Sequence, residues 1–448
     1  MRPRPLRRLN EQVVPPATGV YGSAAIRSML HDVVARRNSV DILIAGDSNN
    51  NFVGWGWVDG LNWALQNNTT ALEYGGQIVP CVSWDNVFYY GVYSTEAAFS
   101  KINAAGSVVN PGGVGALGNT LVSGITSGPT ELTSAMTRGG GTLQPNTSPF
   151  DYGWWAGTTD WADTLGGIYT NEGTGRLPWI GDSLQYRVVH GKGPGMGTLR
   201  LSARLDIPPY TAIGTQAISC AQASYEWVTS TLSIAANASR TGNAHAFYYA
   251  SSNVSNSRLT GPMALAMQSL SRVGVKGYSV TSLSHHGGAT MDTIAANVSS
   301  GATIIRQYLK EARARQIASG GSGRVIVAIQ GGINVGTNPW ATSADSFFST
   351  CRTQWTNLGY PSEDLACLGW VSHQTASSDT LSAERASSIN LARNGSCTIV
   401  DTTAFVSYND INTGGGSGVT WYDSGGNSHL TAAGYQSIGS RMIAALLT

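Results

Sequence analysis

Two rhythms of apolar and polar residues divide the chain. From about residue 277 onward, apolar runs of strand length alternate with longer stretches whose apolar residues recur at helical spacing. "GYSVTSLS" (277–284) predicts a strand and "GATIIRQYLKEARARQIASG" an amphipathic helix closed by Gly. "RVIVAIQ" (324–330) predicts the next strand, followed by "SADSFFSTCRTQWTNLG", a helix with a Ser or Asp cap and a terminal Gly. "LACLGWVS" (365–372) is a further strand with "LSAERASSINLARNG" as its helix. "CTIVDTTAFV" gives one strand more, and "TAAGYQSIGSRMIAALL" the helix after it. Near the start, "VDILIAG" and "GWVDGLNWALQN" form the same kind of pair. Strands that alternate with helices pair in parallel through crossovers, so five β–α units are expected in one sheet.

Between about 77 and 275 the helical rhythm stops. Residues 101–145 are Gly-rich and nearly chargeless, and an aromatic cluster, "FDYGWWAGTTDW", follows them. Then "QYRVVHG", "TLRLSARLDI", "YEWVTSTLSIAA" and "AHAFYYAS" alternate with period two between turn residues, the pattern of a β-sandwich. The expected division is a basic arm and lead-in helix (1–39), the first part of an α/β domain (40–76), an inserted Gly- and aromatic-rich β-domain (77–275), and the second part of the α/β domain (276–448).

Composition narrows the function class. Charged residues make up 12% of the 448, about half the usual share, and Gly (55 residues) fills much of the gap. That mix suits a β-rich, surface-exposed module; disordered chains need a high net charge, and here it is +1. The balance points to no nucleic-acid partner. The opening "MRPRPLRRLN" is basic but lacks the apolar run of a signal peptide, so it reads as a flexible or docking arm. No stretch approaches the ~18 apolar residues of a membrane span. The five cysteines form no CxxC pair and are odd in number, which favours buried free thiols over a disulfide framework or zinc site. Sequons such as those at Asn237 and Asn253 are expected by chance in a Ser/Thr-rich chain.

Candidate chemistry begins with a repeated tripeptide. Gly-Asp-Ser occurs at Ser48 in "DILIAGDSNNNF" and at Ser183 in "WIGDSLQYR". A nucleophile elbow needs a buried strand, a tight turn and a following helix whose N-terminus faces the site. Ser48 has all three; Ser183 is preceded by Pro178 and followed by an alternating strand, so it reads as a β-turn. A serine also needs a base. Of seven His, His429 stands in "GGNSHLTAAGYQSIG", a polar loop just before the last helix and so at the carboxyl edge of the sheet, where Ser48 also lies. Oxyanion donors are available at the same edge: the Ser48 N–H, the Gly288 N–H in "SHHGGAT" after the second parallel strand, and the Asn334 amide in "IQGGINVG" after the third.

These four blocks resemble those of the SGNH hydrolase superfamily, the GDSL-type esterases and lipases. "AGDSN", "HGGAT", "GGIN" and "SHLTAAGY" match its Ser, Gly, Asn and His blocks in order, over residues 40–76 and 277–448. The resemblance implies a flavodoxin-like three-layer α/β/α sandwich with five parallel strands, here carrying an all-β, sandwich-like insertion. It also implies a serine esterase with no cofactor and no metal, in which Ser48 is nucleophile, His429 general base, and Gly288 and Asn334 hold the oxyanion. Two positions depart from the family pattern. Val335 replaces an acid after the Asn, and Gly426 stands where the triad Asp is expected, three residues before the His. Asp423, six before His429, is the nearest acid; either it reaches the imidazole or the site is a Ser–His dyad helped by a backbone carbonyl. Asp401, after "CTIV", is expected to be a structural cap. Asp47 is expected to support the turn and, with Asn49 and His286, to stand beside substrate.

The aromatic insert offers platforms for sugar rings, though core packing alone accounts for aromatics equally well. The favoured substrate is an O-acetyl group on a carbohydrate polymer, with another small ester as the wider class. A second reading is a phage virion component, a tail or capsid-decorating protein in which the inherited fold serves attachment and activity is weak or lost. The expected setting is extracellular or virion-associated, with a cytoplasmic one open, and assembly into a virion or homo-oligomer is compatible with either reading.

Overall fold

The structure, a computed structural model, describes residues 19–22, 24–47, 49, 56–67, 101–102, 108–109, 153–155, 164–171, 181–193, 197–205, 212–223, 226–238, 245–251, 263–282, 290–292, 295, 302–334, 337–395, 397–423 and 428–448. In chain order the first elements are β1 (Val20–Tyr21), α1 (Ala25–Val34), β2 (Val40–Ala45) and α2 (Trp57–Asn67). A strand-only stretch follows: β3 (Lys101–Ile102), β4 (Val108–Val109), β5 (Gly153–Trp155), β6 (Thr164–Asn171), β7 (Leu184–Lys192) and β8 (Thr198–Leu205). It continues with β9 (Ala212–Ser219), β10 (Glu226–Ile234), β11 (His245–Ser251) and β12 (Met263–Arg272). Alternation then resumes with β13 (Tyr278–Ser282), α3 (Ala302–Ala318), β14 (Arg324–Gly331), α4 (Trp340–Asn357), β15 (Leu365–Val371) and α5 (Ser382–Arg393). Last come β16 (Thr398–Val400), α6 (Tyr408–Thr413) and α7 (Ala432–Leu447).

The fold is α/β. One six-stranded sheet has the order β1-β16-β15-β14-β2-β13, and every pairing in it is parallel except that of β1 with β16. Numbered in chain order, the five parallel strands read 2-1-3-4-5, a doubly wound arrangement whose switch point falls between β2 and β14. The side-chain period of two sorts each strand between two cores. Val40, Ile42 and Ile44 pack with α1, α2 and α7, whereas Leu43 and Ala45 pack with α3, α4 and α5. Because both faces are covered, "VDILIA" is buried at all six positions and shows no alternation of its own.

Among the described residues the strand-only stretch forms two four-stranded antiparallel sheets, β10-β7-β12-β5 and β6-β11-β8-β9, and a two-stranded one, β3-β4. Leu184, Tyr186, Val188, Leu199, Leu201, Ala203, Leu232 and Ile234 fill the core that the four-stranded sheets share. β12, "MALAMQSLSR", is built largely of good helix formers, yet it pairs with both β5 and β7; ladder pairing overrides local propensity there.

Two local expectations need correction and one gains detail. α3 keeps a single solvent-facing stripe at Arg306, Lys310 and Ile317 and is otherwise buried, because it lies between the parallel sheet and the β7–β10–β12 sheet. Its Glu311 takes a bidentate pair from Arg187 of β7 (2.7 and 3.0 Å), and Gln307 bonds Thr229 of β10. Arg315, on the same helix, donates to Asp41 of β2 at 2.6 and 3.0 Å, with both side chains fully buried and Thr281 completing the carboxylate's bonds. α4 starts at Trp340, not at a Ser or Asp cap: Pro339 precedes it, and Glu384 of α5 accepts the Trp340 N–H at 2.6 Å. "CTIVDTTAFV" is strand only through Val400, because Asp401 accepts from the Thr403 N–H and hydroxyl and turns the chain into a short 3-10 segment. Asp401 is thus the cap that the sequence suggested.

Cys220, Cys351, Cys367 and Cys397 are buried free thiols, and burial pushes Cys220 up to about 11 and Cys397 up to about 12. Thiols so far above neutrality carry almost no thiolate and are poor nucleophiles. Among the described residues no helix is long and apolar enough to cross a membrane.

Candidate active site at the carboxyl edge of the parallel sheet

β2 runs out of the core into Gly46 and Asp47, at the switch point where open α/β sheets bind ligands. Asp47 is 1% exposed. Its Oδ1 accepts from the Asn49 backbone N–H (2.9 Å) and the Asn49 side-chain amide (3.2 Å). A third donor comes from the end of β14: with its amide turned to satisfy both ends, Gln330 donates to the same oxygen at 3.2 Å and accepts from the Gly331 N–H and the Ser372 hydroxyl, each at 3.3 Å. Burial pushes the Asp47 carboxyl up to about 6, and the bonds from Asn49 and Gln330 only partly oppose that. Asp47 therefore braces the backbone at Asn49. On the far side of Asn49, the Tyr435 hydroxyl of α7 donates to the Asn49 Oδ1 at 2.6 Å.

The loop that carries His429 is closed at its neck. Tyr422 and Leu430 form an antiparallel bridge, the Asp423 N–H donates to the His429 carbonyl (3.2 Å), and the Thr431 N–H donates to the Trp421 carbonyl (2.7 Å). That pairing sets Asp423 directly across from His429, six residues away in sequence. The half-buried His429 imidazole has its pKa lowered by desolvation, and the Asp423 charge works in the opposite direction. A neutral imidazole with a carboxylate beside it is what a general base needs. The cap of α7 is Thr431, whose hydroxyl accepts from the Gly434 N–H, so His429 is not spent on capping.

The two helices that flank these segments cross closely. Gly60 of α2 lies against the Tyr435 carbonyl of α7, where a Cβ would sit only 2.5 Å from that oxygen, and Gly439 of α7 lies against the Gly60 carbonyl in the same way. α2 comes after the Asp47–Asn49 turn in sequence and α7 directly follows the His429 loop.

Asn334 stands, half-buried, on the loop after the neighbouring strand β14. The loop turns at Gly332, whose φ of +108° is a left-handed conformation that disfavours any other residue. Asp292 braces the next stretch, accepting from the Thr337 and Asn338 N–H groups and the Ser343 hydroxyl. Burial works against its charge, but those bonds hold its carboxyl below the usual range. One strand further along, Arg385 donates to the Val371 and Ser372 carbonyls and pairs with Asp379, which fixes the end of β15 and the buried His373.

Asp47, Asn49, Asn334, Asp423 and His429 thus all lie at strand ends or loops on one edge; Ser48, Gly288 and His286 lie outside the described residues. The sequence reading missed Gln330 and Tyr435. A polar residue closing the apolar run "RVIVAIQ" was the available signal for Gln330; the fully buried Tyr435 sat unremarked within "SHLTAAGY". The second Gly-Asp-Ser is a turn leading into β7, with Asp182 paired to Arg272 at 2.6 Å and the Ser183 carbonyl accepting from the Val273 N–H. His190, buried among the strands, bonds the Gly191 carbonyl (3.0 Å) and the Ser230 hydroxyl (2.8 Å), and burial pushes its imidazole down to about 4; it is a satisfied core histidine.

No family model matches the chain, and no curated protein matches it. Solved structures give partial likenesses. A Bacillus subtilis protein, YXIM, aligns at 12% identity over 69% of this chain and 86% of its own, with a TM-score of 0.29. A family two carbohydrate esterase from Clostridium thermocellum, in complex with cellohexaose, aligns at 12% identity over 63% and 91%, with a TM-score of 0.25. A carbohydrate esterase family 2 enzyme from Corynascus thermopiles (Myceliophthora fergusii), with a carbohydrate binding domain, aligns at 13% identity over 63% and 99%, with a TM-score of 0.24.

Proposed function

We propose that the protein is a serine esterase of the SGNH hydrolase type, with a flavodoxin-like α/β/α domain interrupted by an inserted β-domain at 77–275. The observation that carries this reading is the closed neck that sets Asp423 across from His429 at the same sheet edge as the Asp47–Asn49 turn. In the reaction His429 takes the Ser48 hydroxyl proton while the Ser48 oxygen bonds to the ester carbonyl carbon. Asp423 stabilises the imidazolium, and the Ser48 N–H, the Gly288 N–H and the Asn334 amide hold the oxyanion. The C–O bond to the alcohol then breaks as His429 returns the proton to the leaving oxygen. Water, deprotonated by His429, attacks the acyl-enzyme, releases the acid and restores Ser48. No metal or cofactor enters this scheme.

The proposed substrate is an O-acetylated glycan met outside the cell. Support comes from the direction of the β-sheets. The Gly274 N–H bonds the Ala318 carbonyl at the end of α3, while Thr229 and Arg187 reach Gln307 and Glu311 further back along the helix. β7 therefore runs from the amino edge of the parallel sheet toward its carboxyl edge. β5, "GWW", pairs with the first residues of β12 at that same end, which brings the tryptophan pair of "FDYGWW" to the site side of the β-domain. Sugar rings stack well on such side chains.

The test is acetate release from p-nitrophenyl acetate and acetylated xylan by wild type, Ser48→Ala and Ser183→Ala. Loss in Ser48→Ala alone is expected. Loss through Ser183, or an inactive wild type on both esters, refutes the reading; the second outcome returns the chain to the virion-attachment alternative.

A further inference from the structure

Asp47 and Asn49 belong to one buried chain of hydrogen bonds, and Ser48 stands between them in sequence. Before it, Asp47 receives three N–H donors on a single oxygen, one of them from Gln330 at the end of β14. After it, Asn49 accepts from the Tyr435 hydroxyl at 2.6 Å. The same hydroxyl accepts from the backbone N–H of Leu430 at 3.4 Å, and Leu430 directly follows His429. The route from one candidate catalytic residue to the other thus passes through two side chains, those of Asn49 and Tyr435, with Ser48 next to Asn49 in sequence and His429 next to Leu430. Asn49 and Tyr435 are both fully buried, and the tyrosine ring is held edge-on by Trp57 with centroids 5.5 Å apart. Ring packing alone would serve a phenylalanine equally well; the hydroxyl adds a link from the His429 loop to Asn49, which is 386 residues from Tyr435 in sequence.

We propose that Tyr435 is a positioning residue of the esterase site, its hydroxyl setting the nucleophile turn and the His429 loop at a fixed separation. This rests on the esterase reading above. A serine and its base act only when held within hydrogen-bond reach, and a misplacement near 1 Å costs about 100-fold in rate. Deleting the hydroxyl keeps the ring, the helix and every apolar contact, and frees the two loops to drift apart.

The experiment compares wild type, Ser48→Ala, Tyr435→Phe, Asn49→Ala and Ser319→Ala. Ser319 is the control: its hydroxyl bonds Ser39 at 2.8 Å in a buried network at the opposite end of β2. The readouts are kcat and KM for p-nitrophenyl acetate, the rate of covalent labelling by a fluorophosphonate, and the melting temperature. Tyr435→Phe is expected to lower kcat and the labelling rate by roughly 10- to 100-fold with KM little changed. Ser319→Ala is expected to lose stability without losing rate. Asn49→Ala breaks the same link from its other side, so the double variant with Tyr435→Phe should be no slower than the slower single, the mark of one shared interaction. Should Tyr435→Phe fail to fold, Asn49→Ala alone carries the rate comparison. A Tyr435→Phe or Asn49→Ala enzyme as fast as the Ser319→Ala control overturns the proposal while Ser48→Ala, if dead, leaves the esterase reading intact. A Ser48→Ala enzyme as active as wild type removes the esterase reading and this proposal together.

Discussion

Gly60→Ala probes the crossing of α2 and α7. A Cβ at Gly60 would stand 2.5 Å from the Tyr435 carbonyl oxygen, 2.8 Å from its carbon and 3.1 Å from the Tyr435 Cβ, where ordinary contact begins at 3.4 Å. The two nearest atoms are backbone and the third is a Cβ fixed to it, so no side chain can swing aside; the helices must separate by about 0.9 Å, the shortfall against that limit. Overpacking of this kind costs about 1–3 kcal/mol, offset by the roughly 1 kcal/mol by which a helix prefers Ala to Gly. The expected net loss is about 0–2 kcal/mol, a fall in melting temperature of at most about 2 °C for a chain this long, since the unfolding entropy is about 2.1 cal/mol/K per residue. The effect on rate should be larger, because the two helices follow the Asp47–Asn49 turn and the His429 loop, and a shift near 1 Å costs about 100-fold. The assay is kcat/KM on p-nitrophenyl acetate beside thermal unfolding, with Gly214→Ala as comparison, since a Cβ there meets only side-chain atoms of Ile234 and Leu232 at 3.5 Å or more. A Gly60→Ala protein that melts and turns over like wild type would show that this crossing does not set the site.

The remaining predictions concern charge. Because desolvation lowers the His429 pKa, kcat/KM should rise with pH through a limb below pH 6.5, the ordinary value for His. Asp423→Asn removes the charge that holds the imidazole up, so the limb should move lower still while kcat at neutral pH falls by orders of magnitude; an unchanged kcat, or a limb moved upward, sinks the assignment of Asp423. For Asp47 the folded pKa is raised, so the folded state binds more protons than the unfolded one between about pH 4 and 6. Stability should therefore fall as pH rises through that window, by at most about 3 kcal/mol, and the slope should vanish in Asp47→Asn; equal slopes in urea titrations at several pH values would contradict it. Removing Asp41 strands the fully buried Arg315, so Asp41→Ala should cost about 3–5 kcal/mol, and a loss below about 1 kcal/mol would mean that water or another group compensates the guanidinium.

What the sequence determined by itself is the five parallel strands, the main helices between them and their order. The five apolar runs from "VDILIA" to "CTIV" are parallel neighbours, and the helices fall where the spacing put them, because periodicity records which face of a local segment is buried. It also separated the two Gly-Asp-Ser copies, since a strand after Ser183 and a helix after the Ser48 region are local facts. Tertiary structure decided the rest. Asp423 meets His429 only because Tyr422 and Leu430 bridge, which spacing alone left open. Glu311 and Arg315 look like polar surface positions until β7 covers Glu311 and β2 of the parallel sheet receives Arg315. Tyr435 gains its place beside Asn49 only where α7 crosses α2 over Gly60. A pattern read along the chain reports burial within a few turns of itself; the partner of a polar group hundreds of residues away is set by how the layers stack.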